Sequence, residues 1–533
     1  MTHQEQLEPS PGRRTPGRAV GRGARARRAL GHLLLALTAA TATLPPSMAE
    51  AQARKRTARR AAPAPPPAPK ATTPRSAEAL RSDLAHIVGT STRSGKWGVM
   101  VVSLTRGDTL YALNAGDAMQ PASTMKLLTA AIAFERFGPE HRFETRVYHD
   151  GKLSHDGTLD GNLYMRGAGD PAFSGRFLQG GPETPVNMLA ELVAGAGVKR
   201  VRGAVIGDAS AFEPKTIPDG WKSTYLHLAY AAPVSALSIN ENVVWISVEP
   251  GAVGGAARVT FEPASSGIPL RSRVTTRAGA GSSINVVRLP DGGLEARGWV
   301  GTKSGGRRVQ MVVNEPAPFT AGAFHEALVR RGIAVEGGVR MGTTPKGADE
   351  LASLPSPPLA QLVSVMNRES VNHYAELLFR NAARGPDGSQ VGSAETGDAA
   401  LRHFFSEKLA APVNALVAAD GSGLSLLDRV TPRELTKLLG YAHAAPWGPA
   451  FHASLPVAGE SELLRTRMRN TPAHGNLHAK TGTTDEVIGL AGYTTAVNGE
   501  VIAFTFIYNG TDRWQARSAI DAMGVTLSGF GRR

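Results

Sequence analysis

The spacing of hydrophobic positions along the 533-residue chain changes character twice. From Ser76, SAEALRSDLAHIV carries apolar residues at helical spacing behind a serine able to cap the first turn, which predicts a helix. WGVMVVSL and TLYALN then flank Thr105-Arg106-Gly107-Asp108, the pattern of a two-stranded hairpin. Between Ser123 and Phe137 the spacing is helical again, with Leu127, Leu128, Ala131 and Ile132 on adjoining faces. A helix apolar nearly all round is a buried one. Gly138-Pro139 should end it.

From about 140 to 350 the texture changes to scattered Gly and Pro, short strand-like runs and little long helical periodicity. VRGAVIGD, NVVWISVEP, SINVVRL and RVQMVVNE all read as β, without an internal repeat. Helical spacing resumes with Leu359, Leu362, Val363 and Met366, then Tyr374, Leu377 and Leu378. Near the C-terminus VIGLAGYTTAV and EVIAFTFIYN meet at Asn498-Gly499, a strong hairpin signal. Thr511 or Asp512 should then cap a helix running through Ile520 and Met523. The expectation is a discontinuous α/β (α+β) domain, residues 76–140 plus 352–533. It is interrupted by a β-rich insertion over 141–351, long enough for two nested subdomains.

Composition sharpens this picture. Hydrophobic content of 42% with 20% charged residues describes a globular protein of more than one domain. The net charge of +14 would suggest a nucleic-acid partner, but residues 1–75 hold +11 of it and leave only +3 for the body. No nucleic-acid-binding domain is expected. The basic segment reads instead as an export signal over residues 1–53. Arg22, Arg25, Arg27 and Arg28 precede an apolar stretch from Ala29 to Leu44, and Ala49-Glu50-Ala51 and Ala51-Gln52-Ala53 offer cleavage sites. An uncleaved anchor is the alternative, for which the stretch is short. Arg13-Arg14 and Arg27-Arg28 leave the choice between general and twin-arginine export open, as the basic tail does for peripheral membrane or wall association. Residues 54–75, rich in Pro, Ala and basic side chains, read as an extended linker. With zero cysteines, thiolate catalysis, disulfides and Cys-ligated metals are excluded, and the histidines form no H-E-x-x-H pair.

The chemistry concentrates in short motifs. Of the lysines, only Lys126 has a serine three positions earlier, and positions i and i+3 share a helix face. Ser123 at the helix start would feel the free N–H groups there, and Lys126, the only charge between Ser123 and Phe134, would lose its proton more readily when buried. A serine needs such a base to become a nucleophile. An N-cap serine beside a snorkelling lysine would look the same. S-x-N occurs at Ser238-Asn240, Ser283-Asn285 and Ser370-Asn372. The first two open strand-like stretches of the insertion, whereas Ser370-Val371-Asn372 lies between helical segments, where a loop can aim a hydroxyl and an amide into a cleft. Ser370 and Asn372 are therefore the candidates, with a pair of helix caps as the alternative. Lys480-Thr481-Gly482-Thr483 is the only K-T-G, at the start of the C-terminal hairpin, where a strand edge offers a charge, hydroxyls and backbone N–H to an anion.

S-x-x-K, S-x-N and K-T-G in this order resemble the motif set of serine penicillin-binding proteins and β-lactamases. The 247-residue separation of Ser123 and Ser370 exceeds what a compact β-lactamase holds. That spacing, with PASTMKLLTAA, Gly169-Asp170-Pro171, PVSALSINEN, DGSGLS at 420–425 before Thr431-Pro432, and HAKTGT, resembles the DacB-like D-alanyl-D-alanine carboxypeptidase/endopeptidases, the class C low-molecular-mass penicillin-binding proteins of peptidase family S13. The resemblance runs over roughly 78–530 and implies a transpeptidase-like fold, no metal or organic cofactor, and peptidoglycan peptides and β-lactams as ligands. It implies that Ser123 attacks the penultimate D-Ala carbonyl, that Lys126 takes its proton, and that Ser370 relays a proton to the leaving amine. Asn372 would hold Lys126 and the substrate amide. Lys480, Thr481 and Thr483 would bind the terminal carboxylate, Gly482 would let the ligand approach, and the N–H groups of Ser123 and Thr483 would form the oxyanion hole. Two positions depart from the pattern: Val371 stands where Asp is often found, and Leu426 where relatives commonly carry Arg. A catalytically idle wall-binding scaffold on the same fold, and a β-lactamase or esterase, are the alternative functions. The sequence leaves the oligomeric state undetermined.

Overall fold

Strands from the two ends of the chain join in one antiparallel sheet. The computed structural model describes residues 69–385 and 388–533, which lie in one compact unit. The expected signal segment and linker residues 54–68 lie outside the described residues. In chain order the framework consists of α1 (Ala77–Ser91), β1 (Lys96–Ser103), β2 (Thr109–Leu113), α2 (Lys126–Phe137), α3 (Leu359–Arg368), α4 (Asn372–Ala382), α5 (Ala394–Glu407), α6 (Pro432–Ala444), β3 (His478–Thr483), β4 (Val487–Thr495), β5 (Val501–Asn509) and α7 (Arg513–Gly529). The sheet order is β3-β4-β5-β1-β2, so the last hairpin sits beside the first, and β3 with its K-T-G is an edge strand.

The alternation of side chains along β5 shows why both faces are covered. Ile502, Phe504, Phe506 and Tyr508 point into a core with Leu80, Leu84 and Ile87 of α1 and Ile520, Met523 and Leu527 of α7. Ala503 and Ile507 point the other way, into a core built on α2, α3, α4, α5 and α6. A strand buried on both faces reads as continuously apolar, as VIAFTFIY does. Close approach sets one glycine: a Cβ at Gly98 of β1 would lie 2.7 Å from the ring of Pro432, so α6 rests directly on the sheet there.

Ser76 caps α1 through the N–H of Ala79, as expected. Order begins before it, however. Thr72 donates its N–H to Thr526 on α7, and Gly531 donates to the carbonyl of Pro74, so the end of the expected linker is tied to the C-terminal helix. Asp512 occupies the N-cap position of α7 without capping it; its carboxylate instead accepts the N–H of Arg93 at 2.7 Å and of Ser94 at 3.3 Å.

The intervening region carries its own core, built from Val147, Leu163, Val205, Val244, Val274, Phe319 and Phe324 among others. Its first strand, Glu144–His149, pairs antiparallel with its last, Asp349–Pro355, so the chain leaves and returns at one place. That last strand runs through the boundary expected at 351/352. Two helices, Thr184–Gly195 and Pro316–Arg330, interrupt the β texture. Both have Pro in the first turn, and their many Ala, Gly and Pro residues blur the apolar stripe. No helix among the described residues is long and apolar enough to cross a membrane.

Phe504 is fully buried and stacks on Phe506 with ring centroids 4.7 Å apart. Phe504→Ala is expected to lower unfolding stability by about 3–5 kcal/mol, read as a fall in the urea midpoint at unchanged slope.

Candidate active site

The chain turns into α2 through a single 3-10 turn, Ala122–Met125, with Ser123 half-buried within it and Lys126 at the first position of the helix. Ala122 takes a left-handed φ of 46° immediately before Ser123. Gly423 (φ 81°) accounts for the fit of that turn: a Cβ there would lie 1.8 Å from the carbonyl oxygen of Ala122. The 420–425 loop is therefore pressed against the backbone that presents Ser123.

Lys126 is completely buried. Its Nζ lies 2.9 Å from Ser123 Oγ, 2.6 Å from Asn372 Oδ1 and 2.8 Å from the carbonyl oxygen of Ser422. Asn372 Nδ2 donates to the carbonyl of Tyr230 at 2.8 Å, which fixes the amide with its oxygen toward the lysine. Asn372 Oδ1 and Ser422 O can only accept. A neutral amine, with two N–H bonds and one lone pair, satisfies both and leaves the lone pair for the hydroxyl hydrogen of Ser123.

Burial pushes the Lys126 pKa down to about 7, against the opposing pull of Asp420, Glu376 and Asp428. Those carboxyls form a buried cluster beneath it. Asp420 accepts the N–H groups of Ser422 (2.9 Å), Gly423 (2.6 Å) and Ser425 (2.7 Å), so it shapes the loop whose Ser422 carbonyl meets Lys126. Asp428 accepts the N–H groups of Ala419 and Asp420, and burial together with the charge of Asp420 pushes its carboxyl well above the usual range. Glu376, pushed up to about 7 by burial and by Asp420, accepts Gly421 N–H and pairs with the buried Arg380 at 2.8 Å.

Ser370 bridges α3 and α4 in a left-handed conformation (φ 61°), sparsely populated for a residue with a Cβ. Its Oγ accepts from Lys480 Nζ at 2.9 Å. Neither Ser370 nor Asn372 caps a helix: Val371 holds the N-cap position of α4 without a side-chain bond, and it packs partly buried against the core. Lys480 is itself fully buried, also donates to the carbonyl of Thr481 at 2.9 Å, and is pushed well below the usual lysine range by burial and then by Lys126. Gly482 faces the turn that carries Ser123, where a Cβ would meet the carbonyl oxygen of Pro121 at 2.8 Å. Ser123, Ser370, Thr481 and Thr483 line one cleft of about 350 Å³.

The structure thus brings Ser123, Lys126, Ser370, Asn372 and the Lys480–Thr483 strand together. The two other S-x-N sites do different work. Ser238 donates to the carbonyl of Ser235 and Asn240 to that of Val243, and Ser283 and Asn285 lie within the strand Ser282–Arg288.

Sequence reasoning missed the contribution of residues 216–231. Trp221 Nε1 donates to Asp420 at 2.7 Å, Ser425 Oγ donates to the carbonyl of Asp219, and Leu426 N–H donates to that of Gly220. Lys222 (3.0 Å) and Tyr225 both bind Asp485 at the β3–β4 turn. This strap thereby tethers the insertion to both the 420–426 loop and the sheet edge. Only the isolated Trp in a polar run hinted at it. The Glu376–Arg380 pair, four residues apart in an apolar helix, was the visible trace of the carboxyl cluster.

Comparison with known proteins places the chain in a family. The sequence profile of the D-Ala-D-Ala carboxypeptidase 3 (S13) family matches residues 80–529. The chain is 33% identical over 449 residues to the D-alanyl-D-alanine carboxypeptidase of Actinomadura sp. (strain R39), covering 81% of each chain. It is 26% identical to the D-alanyl-D-alanine carboxypeptidase DacB of Haemophilus influenzae over 78% of this chain and 85% of that one. The crystal structure of penicillin binding protein 4 (dacB) from Haemophilus influenzae has the same fold, with a TM-score of 0.69 at 24% identity over 84% of this chain and 98% of that one. Profile and identity run through both ends of the catalytic framework and the insertion between them, and the chain belongs to the D-Ala-D-Ala carboxypeptidase 3 (S13) family.

Proposed function

We propose that the protein is a serine-type D-Ala-D-Ala carboxypeptidase/endopeptidase that cuts peptidoglycan peptides through an acyl-enzyme on Ser123 and is acylated by β-lactams. The observation that carries this reading is the buried Lys126 amine, whose two obligate acceptors leave its lone pair directed at Ser123 Oγ. The name of the Actinomadura relative supports the substrate class.

In this reading Ser123 Oγ bonds to the carbonyl carbon of the penultimate D-Ala as Lys126 takes the hydroxyl proton. The N–H groups of Ser123 and Thr483 hold the oxyanion. The C–N bond then breaks, and a proton reaches the departing nitrogen through Ser370. Water, deprotonated in turn, hydrolyses the ester and restores Ser123. The leaving residue's carboxylate rests against Lys480, Thr481 and Thr483. That anion favours charge on Lys480, and a charged Lys480 disfavours a second proton on Lys126, so binding favours the neutral base. Val371 leaves the S-x-N roles intact, because the hydroxyl and the amide, not the middle side chain, point into the site.

Export to the cell envelope rests on the Arg-rich segment, the Ala29–Leu44 stretch and the small-residue sites that follow it. The secreted chain is expected to begin at Gln52 or Arg54, read by N-terminal sequencing.

Intact mass after incubation with benzylpenicillin tests the nucleophile. One adduct is expected on the wild type and none on Ser123→Ala; an adduct surviving that substitution would overturn the assignment. Rapid loss of the adduct would indicate a β-lactamase or esterase, and failure to release D-Ala from muropeptides that bind would indicate a scaffold. Only the unprotonated amine can accept a proton, so acylation should be slow below neutrality and rise as pH climbs through about 7. A pH profile of the acylation rate checks the sign and the midpoint.

A further inference from the structure

The cleft continues past the carboxylate-binding threonines. Besides Ser123, Ser370, Thr481 and Thr483 it is lined by Arg467, Arg513 and Arg517, with Trp514 among them. These guanidinium groups are not equally committed. Arg467 is nearly buried and pairs with Asp521 of α7, its Nε 2.9 Å from the carboxylate. Arg513 donates one N–H to the carbonyl of Thr484 at 2.8 Å, which fixes it beside Thr483 with other donors unused. Arg517, one turn further along the same face of α7, has no hydrogen-bond or ion-pair partner among the described residues. Asp485, whose carboxylate feels the charge of Arg513, is held by Lys222 and Tyr225. Trp514 between them is 75% exposed, an unusual position for an indole at a cleft rim.

A released D-Ala would use little of this. It has one carboxylate, bound by Lys480, Thr481 and Thr483 in the reading above, and a methyl group. The unpartnered Arg517 guanidinium, with the free donors of Arg513 beside it, matches a further planar anion, and an exposed indole matches the aliphatic chain leading to it. We propose that Arg513, Arg517 and Trp514 form a subsite for a second carboxylate carried by the leaving group, so that the enzyme prefers to release residues or peptides with an acidic group beyond the one on Thr481 and Thr483. This rests on the acyl-enzyme reading and adds a specificity element on its leaving-group side.

The test compares three synthetic donors with one acyl part and leaving residues D-Ala, D-Glu or D-Gln. D-Glu and D-Gln have nearly the same shape and differ in the second carboxylate. The wild type is expected to favour D-Glu over D-Gln in kcat/KM by about 10-fold, and high salt should reduce that ratio. In Arg517→Ala the ratio should fall toward one, with Arg517→Lys in between. Because each ratio is taken within one protein, it is insensitive to the fraction that folds. An equal rate for D-Glu and D-Gln in the wild type, or a preference that survives in both Arg517→Ala and Arg513→Ala, would overturn the subsite. So would a rise in KM shared equally by all three donors in Arg517→Ala, which would assign the arginine to the first carboxylate. Absence of D-Ala release by the wild type would instead overturn the acyl-enzyme reading itself.

Discussion

An amine with no solvent around it organises this molecule. Taking the Lys126 amine out of water is costly, and the chain meets that cost with oxygen acceptors from two distant segments, Asn372 and Ser422, beside the neighbouring Ser123 hydroxyl. Each acceptor in turn depends on a further contact. Asn372 is oriented by the carbonyl of Tyr230, and Ser422 by the backbone loop closed on Asp420. Removing any of these supports would leave a buried donor without a partner, so the network can fail from positions well away from the serine.

The carboxyl cluster sets the balance point of that amine. Without nearby negative charge, burial alone would drive Lys126 further down; Asp420, Glu376 and Asp428 oppose it. Glu376 and Asp428 are themselves pushed upward by burial and by Asp420, so the negative charge under Lys126 is partial and shared. Lys480 lacks that opposing pull, and burial and then the charge of Lys126 hold its amine well below the usual lysine range. The two lysines are thus chemically distinct, although both are buried.

What could be read from the sequence follows the range of the interactions. Ser123 and Lys126 are three residues apart, and the K-T-G strand is contiguous, so local spacing exposed them. Ser370 and Asn372 could be singled out among three S-x-N sites because only they fall between helical segments. The α1 cap and the terminal hairpin were legible for the same local reason. Trp221, Tyr230 and the guanidiniums of α7 meet the site only through folding across long stretches of chain, and beyond the isolation of Trp221 in a polar run nothing local marks them. The Asp512 error has a related cause: a carboxylate at an N-cap position ordinarily turns inward, but here it met two backbone N–H groups of the 93–94 turn first.

The adjacent ends of the inserted region, Glu144–His149 paired with Asp349–Pro355, give it the geometry of a cassette that could be lifted out without separating the flanking helices α2 and α3. Its strap gives it the opposite character, because the Tyr230 carbonyl and the Trp221 indole stand inside the chemical machinery. Topologically the region is detachable; energetically it is a subunit of the active site. Its removal would therefore strip Asn372 Nδ2 and the Asp420 carboxylate of a partner each, although neither residue belongs to it.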